Sequence, residues 1–135
     1  MVDIVNGVLV RNGHVLMALR AKSRSTYPAK WSFPGGHVEE GETLSAALSR
    51  ELVEEIGVRP LSERCIAKLS AEADSRNADV VFHIFAIEAW TGEPANLGNE
   101  HDQLAWFSLD EAKAIINLAL EAYREVFDEL RCGCA

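Results

Sequence analysis

Residues 36–58 read GHVEEGETLSAALSRELVEEIGV, and apolar residues recur at every fourth position through most of this segment. An apolar stripe with this period predicts an amphipathic α-helix that lies against a core. Thr43 is suited to the N-cap position, although no Glu or Gln three residues later completes a capping box. Gly57 and Pro60 are typical of the end of a helix. The stripe consists of Leu44, Leu48, Leu52 and Ile56.

Three glutamates of this segment are spaced so that a helix would place them on one face. Glu51, Glu54 and Glu55 stand at i, i+3 and i+4, where like charges repel by roughly a few tenths of a kcal/mol per pair. A bound divalent cation would explain the spacing, because Mg²⁺ and Mn²⁺ take carboxylate ligands. The alternative is a solvated acidic helix of an ordinary domain. Helix geometry puts the glutamates beside the apolar stripe, so we expect them at the rim of the core, partly shielded from water.

The same segment matches a known family signature. Its residues fill every specified position of the pattern G-x5-E-x7-R-E-U-x-E-E-x-G-U, from Gly36 through Glu42 to the run Arg50–Val58. The chain therefore resembles the Nudix hydrolase superfamily, and WSFPG at 31–35 is similar to the usual lead-in of that family. The resemblance is firm over residues 31–58. Outside them, TGEP at 91–94 and WFSLDE at 106–111 are also similar to family segments.

The resemblance implies an α/β fold in which a mixed β-sheet is sandwiched between helices (α/β/α). We expect one such domain over residues 1–135, with Mg²⁺ or Mn²⁺ as the cofactor. In this family the loop–helix–loop of the signature cradles the metal and a diphosphate, and the arginine orients a carboxylate. We therefore assign Glu51, Glu54 and Glu55 as metal ligands, Glu51, Glu54 and Arg50 as catalytic residues, and Gly35 and Gly36 as substrate contacts.

Composition limits the partners. The chain has 135 residues, of which 48% are apolar and 25% charged, as is typical of globular proteins. Its net charge of −8 argues against a nucleic-acid partner, because phosphate backbones require clustered Lys and Arg. There is no basic leader segment and no apolar run near the roughly 20 residues of a membrane helix. The chain has three cysteines, Cys65, Cys132 and Cys134, which form neither a disulfide framework nor a metal-ligand pattern. This suits a reducing compartment, so we expect a cytoplasmic protein. We also expect a monomer or a homodimer.

Residues 3–10 and 14–20 are apolar and rich in β-formers, and Asn12-Gly13 between them predicts a hairpin with a type I′ turn. The polar segment that follows, residues 21–30, is either a solvated loop or a cationic edge that meets substrate phosphates. Four basic residues fall within positions 20–30, namely Arg20, Lys22, Arg24 and Lys30. We assign Arg20, Arg24 and Lys30 to substrate binding.

The rest of the chain alternates between strands and helices. Residues 31–38 predict a short strand broken at Pro34-Gly35-Gly36, where two glycines allow close approach of the backbone to a ligand. Trp31 or Phe33 either stacks on a base or belongs to the core, and we interpret His83 as a packed core histidine rather than a ligand. The further elements are a strand at 61–71, a turn at 73–77, a central strand at 80–90, a loop at 91–103, a short strand at 104–107, an N-cap at Ser108 and a second main helix at 115–130.

Three carboxylates on one helix cannot surround a cation that takes about six oxygen ligands, so another ligand should come from the loop at 91–103. Glu93, Glu100 and Asp102 compete for this role. We choose Glu100 as a metal ligand and catalytic residue, because Nudix proteins often place an extra ligand or general base just before the returning strand. A solvated loop glutamate is the alternative. The resemblance leaves open whether the general base lies on the helix or in this loop.

The predicted function is metal-dependent hydrolysis of a nucleoside diphosphate linked to another group, with a small nucleotide as the substrate. Small size together with WSFPGG and TGEP is most similar to the MutT-type enzymes, which convert a nucleoside triphosphate to the monophosphate and pyrophosphate and in some cases remove modified nucleotides. ADP-ribose, a nucleotide sugar or a dinucleoside polyphosphate are alternative substrates. A Nudix domain that binds nucleotides without hydrolysis is a further alternative, but such domains typically lose signature carboxylates and none is lost here.

Overall fold

The computed structural model describes residues 2–25, 27–72 and 79–133. Its elements in chain order are β1 Val2–Arg11, β2 His14–Arg20, β3 Trp31–Ser32, β4 Gly35–His37, α1 Leu44–Ile56, β5 Arg59–Pro60, β6 Arg64–Glu72, β7 Asp79–Ile87, β8 Trp90–Thr91, β9 His101–Ser108, α2 Leu109–Lys113 and α3 Tyr123–Gly133. Among the described residues, no helix combines the length and the apolar character that a membrane span requires.

Strand β1 is the centre of a mixed sheet with the order β3-β2-β1-β7-β6. Its residues 2–9 pair in parallel with β7 and residues 4–6 pair antiparallel with β4, while its last two residues form the hairpin with β2. Strand β9 pairs along the whole of β2, and β5 with β8 forms a separate two-stranded sheet. Strand β7 lies between β1 and β6, as expected for its near-continuous apolar sequence.

Helices cover both faces of this sheet. Because side chains alternate across a strand, Val5 and Leu9 of β1 pack with Leu52 of α1 on one face. On the other face Val8 belongs to a second cluster that contains Phe127 of α3. The predicted arrangement of a mixed sheet between helices is therefore confirmed.

Local signals placed α1 and the first hairpin correctly. The Thr43 hydroxyl accepts a hydrogen bond from the backbone N–H of Ala46 at 3.1 Å, and Gly57 ends the helix with φ 70°. Asn12 and Gly13 have φ 52° and 76°, which are the positive values that a type I′ turn requires. Ser108 caps α2, as predicted, and Glu111 completes the capping box.

Several strand ends differ from the predictions because pairing continues or stops according to the neighbouring strand. Strand β9 begins at His101 rather than at residue 104, since it follows β2 as far as Arg20 beyond a bulge. Strand β7 ends at Ile87, and Trp90 after it belongs to β8. His83 is buried in β7, as predicted, and its Nε2 lies 2.8 Å from Asp3 Oδ1. The turn predicted at 73–77 lies outside the described residues.

The helix predicted at 115–130 is wrong over its first half, since α3 begins only at Tyr123. The preceding segment pairs instead with the edge strand β3. The Trp31 N–H donates to the Asn117 carbonyl at 2.8 Å, and the Ala119 N–H donates to the Trp31 carbonyl at 2.8 Å. Ile116, a member of the expected apolar stripe, is 94% exposed. Backbone hydrogen bonds to an open strand edge outweigh a helical pattern of apolar residues here.

Gly92 lies where the loop after β8 packs against the end of α1. Its φ is 93°, and a Cβ atom at this position would lie 2.3 Å from the Gly57 carbonyl oxygen. We expect Gly92→Ala to lower the free energy of unfolding by about 2–4 kcal/mol, from backbone strain plus this steric contact. Urea denaturation measures the change.

Gly13→Ala is the matched control, because Gly13 has φ 76° but no atom of the described residues lies within 4 Å of a Cβ built there. It should cost about 1–2 kcal/mol, from the backbone conformation alone. Equal losses in the two variants would contradict the close packing at Gly92.

Candidate active site

A cavity of about 270 Å³ lies where β1 and β4, the loop after β2, the start of β9 and the start of α3 come together beside α1. It brings together most of the residues that the sequence singled out. Lys30, Glu54 and Glu55 are not among the described residues that line it. Those that do are Arg20, Arg24, Gly35, Gly36, Arg50, Glu51 and Glu100.

Glu55 is the most buried acid of the site, with 5% of its surface exposed. Its Oε2 accepts a hydrogen bond from the Gly35 N–H at 2.9 Å, whereas Oε1 is buried and accepts no hydrogen bond from any described residue. Burial, followed by the neighbouring Glu100 carboxyl, raises the pKa of Glu55. Glu55 therefore carries a proton in the absence of a cation, and a bound cation would replace that proton.

Glu100 and His101 complete a cluster with Glu55 in which one ligand atom from each residue lies within 4.8 Å of the others. The loop is fastened to the end of α1, since the Leu97 N–H donates to the Glu55 carbonyl at 2.9 Å. The Asn96 side chain also donates to the His101 carbonyl at 2.9 Å. Sequence reasoning missed His101, because a single histidine before an apolar strand carries no spacing signal. Burial lowers the pKa of His101, which favours the neutral imidazole that binds metals.

Of the three competing loop acids, Glu100 lines the cavity. Glu93 is ion-paired with Arg11 at 3.2 Å, and Asp102 is exposed in β9. Neither of these two is among the described residues that line the cavity.

Glu51 lies against the backbone of β4. A Cβ atom on Gly36 would lie 2.5 Å from the Glu51 carboxyl carbon, so glycine is required for this approach. Burial is the main cause of a raised pKa of Glu51, although Arg50 opposes it. Glu51 thus faces the cavity from the same helix as Glu55.

Arg50 acts as an orienting group. Its Nε and Nη2 donate to the two oxygens of Glu42 at 2.7 and 2.9 Å, and Nη1 donates to Glu51 Oε1 at 2.8 Å. Nη2 also donates to the His37 carbonyl at 3.0 Å. We call this set of bonds from the Arg50 guanidinium the Arg50 fork. A planar guanidinium held by a bidentate carboxylate has little freedom to move, so Arg50 fixes the position of Glu51.

Glu54 lies on the solvent side of α1, with 61% of its side chain exposed and one oxygen 3.6 Å from Arg50 Nη1. It stays at the rim of the site next to the group that holds Glu51. Lys30 is exposed on the loop after β2.

Two arginines form the positive wall of the cavity. Arg24 Nη2 lies 3.9 Å from Glu100 Oε1, and Arg24 Nε has no hydrogen-bond acceptor among the described residues. Burial and the charge of Arg24 lower the pKa of Arg20. Two like charges held near each other in a partly buried cavity favour an anionic ligand.

The inner end of the cavity is mostly apolar. Phe33 is 2% exposed and packs on Tyr123 at 4.6 Å between ring centroids, so it belongs to both the core and the cavity wall. Trp31 instead packs edge-on against Phe107 at 5.0 Å and is not among the described lining residues. The residues of this inner end are Ile4, Asn6, Ser32, Phe33, Phe82, Ala119 and Tyr123.

A divalent cation suits the acidic end of the cavity. The buried Glu55 Oε1 has no donor among the described residues, and Glu51 and Glu100 face the same space. Carboxylates crowded in this way repel one another unless a proton or a cation lies between them. A donor set made mainly of carboxylates matches the preference of Mg²⁺ and Mn²⁺.

The Arg50 fork predicts an acid-sensitive ion pair. The Arg50 guanidinium, helped by the Glu39 N–H, lowers the pKa of Glu42 to about 2 from an ordinary value of 4.5. A lowered carboxyl pKa stabilises the fold above pH 4.5, and this stabilisation is lost as the pH falls from about 4.5 to about 2. We expect Arg50→Lys to return the Glu42 pKa towards 4.5, since a single ammonium group cannot replace the fork.

Carbon-detected NMR titration of the glutamate carboxyls, with a chelator present, measures this change. Glu111 is the control, because its pKa is lowered by bonds to Ser108 and not by Arg50, so it should titrate identically in both proteins. A Glu42 midpoint near 4.5 in the unmodified protein would contradict the assignment.

Comparison with known proteins identifies the family of the chain. A model of the NUDIX domain matches residues 2–130. The chain is 31% identical over 112 residues to the CTP pyrophosphohydrolase of Escherichia coli K12 (83% of this chain, 79% of that protein), and 33% identical over 107 residues to the 8-oxo-dGTP diphosphatase of the same strain (79% and 80%). The crystal structure of a MutT NUDIX hydrolase from Burkholderia pseudomallei superposes with a TM-score of 0.84 at 25% identity, over 96% of this chain and 97% of that one. The chain therefore belongs to the Nudix family, as a hydrolase that acts on nucleotide-linked phosphoanhydrides.

Proposed function

We propose that the protein hydrolyses a nucleoside triphosphate to the monophosphate and pyrophosphate, with Mg²⁺ or Mn²⁺ as cofactor. The observation that carries this proposal is that three kinds of side chain line one cavity. Glu51 and Glu100 supply carboxylates, Arg20 and Arg24 supply positive charge, and the residues of the inner end around Phe33 are mostly apolar. A nucleotide has matching parts, because its phosphates need both cations and positive side chains while its base needs an apolar slot.

The residues that would hold the cation are Glu51, Glu54, Glu55 and Glu100. A bound divalent cation neutralises phosphate charge and lowers the pKa of a water molecule. Glu54 is included because the signature implies it as a ligand and because one of its oxygens lies 3.6 Å from the Arg50 that holds Glu51. His101 is a further candidate ligand, because one of its ring nitrogens lies within 4.8 Å of a carboxylate oxygen of Glu55 and of Glu100.

The side chains of the protein perform the other steps. Arg20 and Arg24 bind phosphate oxygens, and Arg50 keeps Glu51 in place through the bond at 2.8 Å. Water attacks either the α- or the β-phosphorus, a new P–O bond forms and the anhydride P–O bond between these two phosphorus atoms breaks. The electron pair of that bond leaves with pyrophosphate in the first case and with the monophosphate in the second. The proton of the attacking water passes to a carboxylate. We propose Glu100 for this acceptor, or for an additional metal ligand, since it faces the cavity opposite α1.

The relatives support the same class of substrate. Two proteins that are at least 31% identical over most of this chain are named for activity on nucleoside triphosphates, CTP and 8-oxo-dGTP. Their bases differ, so the similarity favours the triphosphate without selecting the base.

Product analysis tests the proposed reaction. A panel of nucleoside triphosphates, ADP-ribose and a dinucleoside polyphosphate should be incubated with protein and Mg²⁺, and the products separated by ion-exchange chromatography. We expect monophosphate and pyrophosphate in equal amounts, with no product in the presence of a chelator. Release of orthophosphate from a triphosphate, or hydrolysis of ADP-ribose alone, would contradict the proposal. Reaction in H₂¹⁸O shows which product receives the oxygen of water.

Substitution of single carboxylates tests the site. Glu55→Gln should lower kcat by on the order of 10², because it removes a charged group from the cluster while the Gly35 N–H keeps an acceptor. Glu100→Gln should lower kcat about tenfold or more with little change in KM. Neither change should lower Tm by much, because glutamine has nearly the same shape as glutamate and keeps a side-chain oxygen that can accept a hydrogen bond.

Glu93→Gln is the matched control in the same loop, because Glu93 pairs with Arg11 outside the cavity. Its kcat should stay within about twofold of the unmodified protein. Isothermal titration with Mn²⁺ gives a second reading, in which the two site variants bind more weakly than the control. Full activity of Glu100→Gln would place the proton acceptor on α1.

A further inference from the structure

Asn6 is a polar residue in an apolar part of β1. It lies between Ile4 and Val8 on the face of the sheet that is turned towards α3, and it is 5% exposed. In register it is opposite Gly35 of β4 and Ile84 of β7. A buried amide at such a position is unfavourable unless its hydrogen bonds are satisfied.

Only half of the Asn6 amide is satisfied within the described residues. Its Nδ2 donates to the Phe33 carbonyl at 3.0 Å, which defines the orientation of the amide. Its Oδ1 is buried and accepts no hydrogen bond from any described residue. Asn6, which lines the cavity, therefore has one side-chain acceptor without a partner among the described residues.

The surroundings of this acceptor suit the flat, apolar body of a nucleobase. Phe33, Phe82 and Tyr123 line the same inner end of the cavity. The acidic residues and the arginines are contributed by other elements, namely α1, the loop after β2 and the start of β9. A nucleotide whose phosphates contact Arg20 and Arg24 would thus direct its base towards the wall formed by β1.

We propose that Asn6 is a specificity-determining residue whose Oδ1 accepts a hydrogen bond from an exocyclic amino group of the substrate base. This inference rests on the proposed nucleotide hydrolysis. A vacant acceptor selects a donor on the base. A ring N–H of uracil or thymine is flanked by two carbonyl oxygens, which would be brought close to Asn6 Oδ1 and repelled. An amino group projects beyond the ring and avoids this repulsion, so bases with an amino group are favoured.

Substrate pairs that differ by one amino group test the inference. The pairs are ATP and purine riboside triphosphate, GTP and inosine triphosphate, and CTP and its 4-deamino analogue. For the base that the enzyme uses, we expect kcat/KM to fall about tenfold or more when the amino group is removed. Asn6→Leu should reduce this ratio to within about threefold of one.

The test distinguishes base recognition from a purely structural role. If Asn6 only held the Phe33 carbonyl, Asn6→Leu would lower activity on both members of a pair equally and leave the ratio unchanged. Asn117→Leu is the matched control, because the Asn117 side chain donates to the Ala29 carbonyl at 2.9 Å but is not among the described residues that line the cavity. It should preserve the ratio. Asn6→Val also removes the acceptor and gives the same reading should Asn6→Leu not fold, as judged by circular dichroism.

Binding of the corresponding nucleoside monophosphates in the presence of a chelator separates this inference from the proposed function. Calorimetric titration should show the same preference for the amino group, and its loss in Asn6→Leu, without any hydrolysis. Discrimination in binding without triphosphate hydrolysis would overturn the proposed reaction and keep the role of Asn6. Hydrolysis with no discrimination in any pair, or with equal discrimination in Asn6→Leu, would overturn the role of Asn6 alone.

Discussion

The packing of helix α1 on strands β1 and β4 is the constraint on which the site depends. Leu48, Leu52 and Ile56 are fully buried, and this fixes the rotation of the helix about its own axis. The same rotation turns Glu51 and Glu55 towards the turn that leads into β4. Burial of each apolar side chain contributes about 1.5–3 kcal/mol, whereas the repulsion between neighbouring glutamates on a helix is only about a few tenths of a kcal/mol. Core packing therefore keeps the acids crowded.

Crowding of this kind would be costly if every acid stayed charged, and the structure lowers that cost in two ways. Glu55, the most buried, has a raised pKa and is neutral in the absence of a cation. Glu42 is charged, but it is held by the Arg50 fork at the rim of the site. The neutral acid is at the centre of the cluster, where a cation can replace its proton, and the permanent ion pair is outside it. In the proposed site, Glu55 would thus bind the cation, whereas Glu42 positions Arg50.

The irregular segment before α3 shapes the other end of the cavity. Hydrogen bonds to Trp31 hold it against the edge of the sheet, and the Arg124 side chain donates to the Ile115 carbonyl at 2.8 Å. Ala119 thereby reaches the wall of the cavity while Ile116 points to solvent. A continuous helix through these residues could not pair with the strand edge in this way, so the departure from helical structure is what encloses the inner end.

The sequence by itself determined the elements whose signals are local. The fourfold apolar period and the caps at Thr43 and Gly57 define α1, and Asn12-Gly13 defines the hairpin, because each depends on residues only a few positions apart. The signature also pointed to Glu51, which lines the cavity. It did not show that Glu55 is buried while Glu54 is exposed, because that depends on where β4 and the loop before β9 meet the helix.

Only the tertiary structure decided which distant residues share the cavity. His101 and Asn6 carry no pattern in the sequence, and they reach the site through the pairing of β9 with β2 and of β1 with β4. In the segment 115–122 a local pattern is present in the sequence but predicts the wrong structure. Its apolar spacing is helical, yet its backbone bonds go to a strand more than eighty residues earlier in the chain. Hydrogen bonds and burial are satisfied over the whole molecule, so long-range partners overrule a local preference wherever the two differ.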